Sequence, residues 1–357
     1  MKILDFFFDA YDSLRHLIFR NSSSSSKMEH GFLARLIPVL LIALILFPLV
    51  LGALWNSEPD SFDPVQHAAR LAGERGEDML TGYITTAALI HSAEVLLDKR
   101  GGYLSNDMMP PGLFMDNIPN WEFGVLTQIR DLNLSLRNDF TRSQSQSIED
   151  KDIIIAENQF RIDSESWMLP PAETEYRSGV KALYRYLARI SDKDTQDGQF
   201  YARADNLREW LGLISKRLGS LSQRLSASVG QARLNTDLAG DAQAHQSSPT
   251  DHIIEVKTPW LKIDDVFYEA RGSAWALSHL LKAAETDFQD ILQKKNAVVS
   301  LQQIIRELEA TQETVWSPII LNGGGFGVFA NHSLVMANYI SRANAAVLDL
   351  QQLLAKG

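Results

Sequence analysis

A run of twenty residues without a charged side chain, at positions 36–55 (LIPVLLIALILFPLVLGALW), constrains this chain more than any other feature. As an α-helix the run would be about 30 Å long, which matches the hydrocarbon core of a bilayer. Pro38 and Pro48 disfavour a helix in water but are tolerated in membrane helices, and Trp55 suits the membrane–water interface. We therefore expect one transmembrane helix at residues 36–55.

A cleaved signal peptide is the main alternative to a permanent anchor. The apolar region of a signal peptide is normally about 7–15 residues long, follows a short basic segment and precedes a small-x-small cleavage site. Here 35 residues precede the run, and Gly52-Ala53-Leu54 lacks a small residue at its last position. The pattern favours an anchor that stays in the mature protein.

The charges that flank the run predict its orientation. Basic side chains precede it at Lys2, Arg15, Arg20, Lys27 and Arg35, and acidic side chains follow it at Glu58, Asp60 and Asp63. Because basic flanks stay in the cytoplasm, we expect a cytoplasmic N-terminus and about 300 residues on the far side of the membrane. If the source is a Gram-negative bacterium, that side is the periplasm.

Composition limits what the exported part can do. The whole chain has 34 Lys+Arg against 44 Asp+Glu, a net charge of −10, which argues against nucleic acid because phosphates need a basic surface. The absence of cysteine excludes disulfides, thiolate zinc sites and cysteine nucleophiles. Hydrophobic residues make up 45% of the chain and charged residues 22%, as in a folded protein.

Apolar residues repeat with a helical period along most of the chain after residue 56. Asp63-Pro64 indicates a helix N-cap followed by proline at the first helical position. Further helices are predicted near 76–99, 120–142, 147–159, 171–190 and 199–229. Residues 230–262 break the helical period, and their HIIEVKTPW stretch predicts one short strand.

Two apolar seams with steps of three and four residues indicate helices that pack side by side. The first seam is Phe267, Ala270, Ala274, Leu277, Leu281, Ala284, Phe288 and Ile291, and the second is Met336, Tyr339, Ala343, Ala346, Leu350 and Leu353. We predict an all-α protein with a single N-terminal transmembrane helix followed by an elongated antiparallel helical bundle with coiled-coil-like seams.

These patterns divide the chain into five segments. They are a cytoplasmic segment with a short amphipathic helix and a Ser-rich linker (1–35), the transmembrane helix (36–55), an exported helical region (56–229), a linker (230–262) and a C-terminal helical hairpin region that packs on the same bundle (263–357). The cytoplasmic segment is too short for a kinase, cyclase or DNA-binding domain, which argues against an ordinary two-component receptor.

The sequence contains fragments of two catalytic motifs, but neither is complete. Residues 178–181 (SGVK) fit S-x-x-K, yet the companion motifs of penicillin-interacting enzymes are missing. Glu165-Ser166 is similar to the acid–serine pair of lytic transglycosylases, without the further motifs expected after it. We assign no catalytic residue, and the sequence favours a protein that is not an enzyme.

Histidine spacing also gives no metal site. The 8 histidines include neither H-x-x-x-H nor H-E-x-x-H. His91 and His279 lie on or beside apolar helix faces, where a hydrogen-bonded core histidine is the simpler interpretation. We therefore predict neither a metal nor a cofactor.

The most unusual local feature is a glycine-rich loop at residues 322–327 (NGGGFG). Glycine here predicts positive φ and a close approach of the backbone between two helices. The alternative is a ligand or partner site, because the loop leads into a helix N-terminus whose free N–H groups attract anions. The residues of this candidate site are Asn322, Gly323, Gly324, Gly325, Gly327, Asn331, His332 and Ser333, with Arg271 and Trp275 as a cation and a flat apolar surface from another helix.

Five stretches of the chain carry a family resemblance. They are YLSNDMMPPG (103–112), PNWEFGVL (119–126), FYARADNLREWL (200–211), FYEARGSAWALSHLLKA (267–283) and NGGGFGVFANHSLVMANYISRANAA (322–346). On these runs the chain resembles an uncharacterised proteobacterial family, domain of unknown function 2333, over nearly its whole length. The resemblance implies a Gram-negative inner-membrane protein and implies no activity or catalytic residue.

Three functions are compatible with these sequence features. The first is a bitopic inner-membrane protein whose periplasmic helical domain assists envelope assembly or scaffolding by binding another envelope protein. The second is a periplasmic ligand-binding or sensory module that acts through a partner, and the third is an enzyme acting on peptidoglycan or lipid. The sequence does not decide whether the protein forms oligomers.

Overall fold

The computed structural model describes residues 27–143, 147–194, 197–234, 253–324 and 326–356. The predicted amphipathic helix and Ser-rich linker within 1–26 lie outside the described residues, as does most of the predicted linker at 230–262. Helix accounts for 68% of the structure and strand for 2%, so the all-α class is confirmed.

The chain divides into two compact units, Met1–Trp55 and Asn56–Gly357. In the first unit the structure describes helix α1, Lys27–Trp55. Most of the large apolar side chains from Leu40 to Leu54 are exposed, by 52% to 70% of their area. Within the described residues, no helix combines the length and hydropathy of a segment that crosses a membrane.

The second unit is built almost entirely from helices. They are α2 (Pro64–Arg75), α3 (Tyr83–Asp98), α4 (Asn117–Ser135), α5 (Lys151–Phe160), α6 (Ala172–Ile190), α7 (Ala204–Ser226), α8 (Ile263–Asp287), α9 (Gln289–Lys294), α10 (Val298–Ala310) and α11 (His332–Ala355). A π turn, Leu136–Phe140, extends α4, and single 3-10 turns lie at Gly112–Phe114, Ala227–Val229 and Trp260–Lys262. The strands are β1 (Gln231–Leu234) and β2 (Ile253–Val256).

The predicted start of α2 is confirmed and that of α3 is wrong. The Asp63 carboxylate caps α2 by accepting hydrogen bonds from the Val65 and Gln66 N–H groups, and Pro64 occupies the first helical position. The second helix begins at Tyr83 instead of residue 76. Gly76 and Gly82, with φ of 64° and 91°, end one helix and precede the next, because glycine adopts this backbone region without strain.

Helices α4 and α8 lie in direct backbone contact and run parallel. A side chain at Gly272 would collide with the Trp121 carbonyl oxygen, and one at Gly124 would collide with the Glu269 carbonyl oxygen. At their other ends the rings of Phe140 and Phe288 lie 5.4 Å apart. The two glycines therefore allow the central helices to touch without intervening side chains.

The prediction of an antiparallel bundle is right for several helix pairs and wrong for this central one. Gly212 of α7 lies near Gln351 of α11 and Gly219 near Asn344, which makes those two helices antiparallel. Helices α5, α6 and α7 reverse direction in turn between α4 and α8, so α8 points the same way as α4. The apolar period of a helix carries no information about its direction.

The first predicted seam is confirmed, because its members from Phe267 to Phe288 are buried and Ile291 is half-buried. The second seam is shifted by one residue at alternate positions. Its buried residues are Met336, Ile340, Ala343, Val347, Leu350 and Leu354, whereas Tyr339, Ala346 and Leu353 are only half-buried. Apolar neighbours such as Tyr339 and Ile340 fit the same period, and packing on α7 and α10 selects between them.

The described part of the predicted linker is a two-stranded antiparallel ribbon. Gln231 pairs with Val256 and Leu234 with Ile253. The single strand expected near HIIEVKTPW is therefore one of two, since a lone strand would leave its backbone groups without hydrogen-bond partners.

Alternating helix directions bring the longest connections to one end of the domain, which we call the loop end. It comprises the connections 99–116, 161–171 and 311–331 and the described parts of 227–262. The opposite end, which we call the turn end, comprises 76–82, 288–297 and the described parts of 141–150 and 191–203.

Contacts between the loops establish the loop end. The Tyr103 hydroxyl donates to the Ser164 carbonyl at 3.0 Å, which joins the first two loops. The Asn322 side chain donates to the Ser228 carbonyl at 2.9 Å, which joins the last two. Leu261 lines one groove together with residues of the first two loops. The four connections therefore form one continuous surface.

We predict that Gly272→Ala lowers the free energy of unfolding by about 1–3 kcal/mol, because the new methyl group collides with the Trp121 carbonyl. Gly73→Ala is the matched control: it lies in α2 with open space around it and should raise stability by about 0.5–1 kcal/mol. Urea unfolding of the purified protein measures both. Equal effects from the two substitutions would show that α4 and α8 are not in backbone contact.

Candidate functional site

Residues 321–324 and 326–332 form a closed hairpin at the loop end. Asn322 and Asn331 form a β-bridge, and the Gly323 N–H donates to the Ala330 carbonyl at 3.1 Å. The His332 N–H donates to the Leu321 carbonyl, and the Leu321 N–H donates to His332 Nδ1, both at 3.0 Å. We call this element the glycine hairpin.

Two asparagines hold the base of the glycine hairpin. Asn331 Oδ1 accepts from the Leu334 N–H at 2.8 Å and so caps α11. Its Nδ2 donates to Asn322 Oδ1 and to the Gly323 carbonyl, each at 2.8 Å. The side chain of Asn331 thus joins the opposite strand of the hairpin to the start of α11, and the Leu334 N–H that an anion would use already has a partner within the chain.

The glycines have different roles from the one predicted for them. None of Gly323, Gly324 and Gly327 has a positive φ, so that expectation is wrong for these three, and Gly325 lies outside the described residues. The expected close approach of the backbone is confirmed at Gly323, where a side chain would collide with the Phe329 carbonyl. Gly324 has open space around it.

The tip of the glycine hairpin points apolar side chains into solvent. Phe326 and Val328 are essentially fully exposed and Phe329 is 74% exposed. Large apolar residues in water are unfavourable, and an exposed cluster of them marks an interaction surface. Sequence reasoning singled out the glycines and missed these three residues, although they stand between and directly after them.

His332 and Ser333 lie at the base of the hairpin. Burial lowers the pKa of His332, and its Nδ1 accepts a backbone hydrogen bond, so the ring is neutral at pH 7. The Ser333 hydroxyl is buried and has no hydrogen-bond partner among the described residues. These two positions are part of the closed hairpin base.

Arg271 and Trp275 belong to a different neighbourhood. The Arg271 guanidinium forms a two-bond ion pair with the Glu58 carboxylate, at 2.7 and 2.6 Å, and donates to the Thr311 and Glu313 carbonyls at 2.9 Å each. Trp275 is 1% exposed. Arg271 is therefore occupied by the chain itself, and Trp275 offers no surface.

A single ring connects this neighbourhood with the glycine hairpin. The Arg271 guanidinium lies 5.9 Å from the centre of the Phe267 ring, and the His332 ring lies 6.3 Å from the same ring. The two halves of the predicted site are thus separated by one aromatic side chain.

Beside Arg271, the segment 56–62 leads into a cluster of aromatic rings that sequence reasoning missed. The Phe62 ring stacks on His279 at 4.1 Å and meets His91 edge to face at 4.5 Å. His67 stacks on His91 at 3.9 Å. The signal in the sequence was the position of Phe62 immediately before the Asp63 N-cap, where an apolar residue commonly fixes the chain that enters a helix.

The hydrogen bonds of His279 define its protonation state. Its Nε2 accepts from the Phe62 N–H at 3.0 Å, and its Nδ1 donates to the Trp275 carbonyl at 2.6 Å. Burial lowers the pKa of His279 to about 4, and burial together with the neighbouring His91 lowers the pKa of His67 to about 4. Among the described residues no three metal-binding side chains come together, and the His279 nitrogens are both engaged.

A buried carboxylate positions the first loop of the loop end. Glu122 is fully buried and accepts hydrogen bonds from Lys99 Nζ, from the Leu104 N–H and from both the N–H and the hydroxyl of Ser105. These hydrogen bonds hold the chain after α3 against α4. All the donors to the carboxylate belong to the domain itself.

The fragments of catalytic motifs are not brought together with partners. Ser178 and Lys181 lie one turn apart on α6, and Lys181 is exposed. Glu165 is exposed on the 161–171 loop, and the Ser166 hydroxyl donates to the Pro170 carbonyl. A general acid for glycan cleavage needs a desolvated carboxyl group in a sugar cleft, which Glu165 lacks.

The fold and the site define an all-α domain that follows an apolar helix and carries exposed apolar loops at one end. The chain belongs to a bacterial family: the model for domain of unknown function 2333, described as an uncharacterized protein conserved in bacteria, matches residues 27–357. The family resemblance seen in the sequence is therefore confirmed. Neither the curated proteins nor the solved structures give a significant match.

We predict opposite outcomes for two neighbouring glycines. Gly323→Ala should lower the free energy of unfolding by about 1–3 kcal/mol because the methyl group meets the Phe329 carbonyl. Gly324→Ala has open space and an ordinary φ, so its effect should stay within about 0.5 kcal/mol. Thermal unfolding of the two variants measures the difference, and an equally large loss at Gly324 would contradict the hairpin geometry.

The histidine cluster predicts a loss of stability in acid. Because the pKa of His279 is about 4 in the folded protein and 6.5 ordinarily, the unfolded chain binds more protons between these values. The His279 contribution is complete above pH 6.5, and falls by up to about 2 kcal/mol between pH 6.5 and pH 5.

His279→Gln keeps a hydrogen-bond donor and an acceptor but removes the titration. Urea unfolding at pH 7.5 and pH 5 should show a smaller loss for this variant than for the wild type. Some carboxylates, such as Asp139, have raised pKa values and therefore stabilise the folded protein as the pH falls. Their contribution is the same in the two proteins and cancels in the comparison. Identical losses in the two proteins would mean that His279 is not held neutral.

Proposed function

We propose that this chain is a bitopic inner-membrane protein of the bacterial envelope. Residues 36–55 span the membrane once, the N-terminus is cytoplasmic, and the domain from Asn56 onward lies in the periplasm. There the domain acts by binding other envelope components and not by catalysis. The observation that carries this proposal is the uncharged run of twenty residues directly before the folded domain.

The side chains of α1 support an anchor. Between Leu40 and Leu54 most large apolar side chains are more than half exposed, and residues such as Leu44 and Phe47 reach 70% and 66%. Apolar surface of this extent is unfavourable in water and favourable in hydrocarbon. The basic residues before the run and the acidic residues after it support the proposed orientation.

Exposed apolar loops support a binding function. The domain buries a continuous core, yet its loops present Phe114, Leu169, Trp316 and Phe326 to solvent. Exposed apolar side chains grouped in this way mark a surface that becomes covered by another component of the envelope, either protein or lipid. We therefore propose that the protein acts by binding through these surfaces.

A ligand-binding or sensory module is the second candidate. Two open grooves, of about 830 and 440 Å³, lie on either side of residues 57–60. The first is lined by charged side chains that include Glu94 and Lys99, and the second includes Arg271. Crosslinked pull-down from membranes distinguishes the candidates: a stoichiometric protein partner supports the first, and a small molecule retained without a partner supports the second.

Topology is tested with alkaline phosphatase fusions, because this enzyme is active only after export. A fusion after Gly357 should be active and a fusion after Lys27 inactive. Deleting residues 36–55 from the Gly357 fusion should abolish its activity, which is the matched control. Activity at Lys27 with none at Gly357 would reverse the orientation and contradict the periplasmic location.

A further inference from the structure

We propose that the loop end of the domain lies against the outer leaflet of the same membrane that holds the anchor, with its apolar side chains inserted among the lipids. This inference rests on the proposed single-pass topology. It assigns the exposed apolar surface to lipid, and leaves the sides and the turn end of the domain for protein partners.

The first two loops carry exposed apolar residues at their tips. In the 99–116 loop, Met109 is 75% and Phe114 79% exposed. In the 161–171 loop, Leu169 is 87% exposed although its φ is 60°, a backbone conformation that is unfavourable for leucine. The chain thus tolerates local strain at a residue whose side chain has no packing role within the domain.

The other two loops repeat this pattern. Trp260 and Leu261, just before α8, are 74% and 75% exposed. In the 311–331 connection, Trp316 is 92% exposed, and Phe326 and Phe329 project from the tip of the glycine hairpin. All four connections at the loop end therefore present large apolar side chains to solvent.

The mostly exposed tryptophans lie at the loop end and not at the turn end. Of the 7 tryptophans, all within described residues, three are mostly exposed, namely Trp167, Trp260 and Trp316, and all three lie at the loop end. Trp is the residue most suited to the membrane–water interface, because its ring is apolar and its N–H remains in contact with water. In the described connections of the turn end, the exposed large apolar side chains are Met79, at 40%, and Ile148, at 95%.

Chain continuity places the membrane at the loop end. The Glu58 carboxylate is paired with Arg271, which also binds the Thr311 and Glu313 carbonyls at the start of the 311–331 connection. Only three residue steps separate Glu58 from Trp55, which is at most about 10 Å of chain. If the anchor ends at Trp55, this part of the loop end cannot be far from the membrane surface.

Charge at the loop end indicates that the contact is hydrophobic. Exposed acidic side chains such as Asp116, Asp163 and Glu165 alternate with exposed basic ones such as Arg100, Arg161 and Lys262, so neither sign of charge dominates beside the apolar tips. The contact should therefore persist at high ionic strength, unlike binding through a basic patch. The anchor keeps the domain near the surface at all times, so a modest apolar contact is sufficient.

The absence of cysteine allows a direct test with the full-length protein in lipid nanodiscs. Single variants Phe114→Cys, Leu169→Cys and Phe326→Cys receive an environment-sensitive fluorophore, and the phosphatidylethanolamine–phosphatidylglycerol bilayer contains a nitroxide-labelled lipid as quencher. Ile148→Cys, 95% exposed at the turn end, is the matched control, and Leu44→Cys reports on the anchor.

We expect the lipid quencher to reduce fluorescence at the three loop-end positions and at Leu44→Cys, in low and in high salt, and to leave the Ile148→Cys label unaffected. Quenching at Leu44→Cys together with loop-end labels as unquenched as Ile148→Cys would overturn the inference and leave the anchor intact. No quenching at Leu44→Cys would instead refute the proposed single-pass topology.

A protein that covers the loop end is the competing occupant. Labelling with a water-soluble maleimide in native membranes and in nanodiscs separates the two cases. Protection of the loop-end cysteines in both supports lipid, since the nanodisc contains no other protein. Protection in native membranes alone overturns the inference in favour of a protein partner.

Discussion

The backbone contact between α4 and α8 is the constraint from which the rest of the domain follows. Gly124 and Gly272 bring the two helices together, and the residues next to this contact determine what lies at the loop end. Glu122, on α4, holds the loop that follows α3, while Arg271, on α8, holds Glu58 and the start of the 311–331 connection. A shift of either helix would therefore displace the loops and the segment 56–62 together.

The loop end and the segment 56–62 are one structural unit in consequence. Phe62 inserts its ring between His91 and His279, and its N–H bonds to His279. Burial lowers the pKa of His279 because it disfavours the charged ring, and the neutral ring accepts the hydrogen bond from Phe62 within an aromatic cluster. The segment 56–62 is thus attached firmly to the helices of the domain.

Sequence patterns were reliable where one physical requirement dominates locally. The Asp63-Pro64 cap and the seam from Phe267 to Phe288 are both present, because capping and apolar periodicity act within a few residues. The glycine-rich loop was predicted less completely. Its position and its close backbone approach are as expected, but its φ values are not, and Arg271 and Trp275 belong to another neighbourhood. Spacing along a helix shows which residues share a face, and not what that face meets.

The sequence alone determined the all-α class, the family, the uncharged run at 36–55 and the helix cap at Asp63. Only the tertiary structure decided that α4 and α8 are parallel, that Ile340 and not Tyr339 faces the core, and that four distant loops meet at one end. The first group depends on composition and on interactions between residues close in sequence. The second depends on contacts between residues that are far apart along the chain, and a single sequence does not encode those contacts as a local pattern.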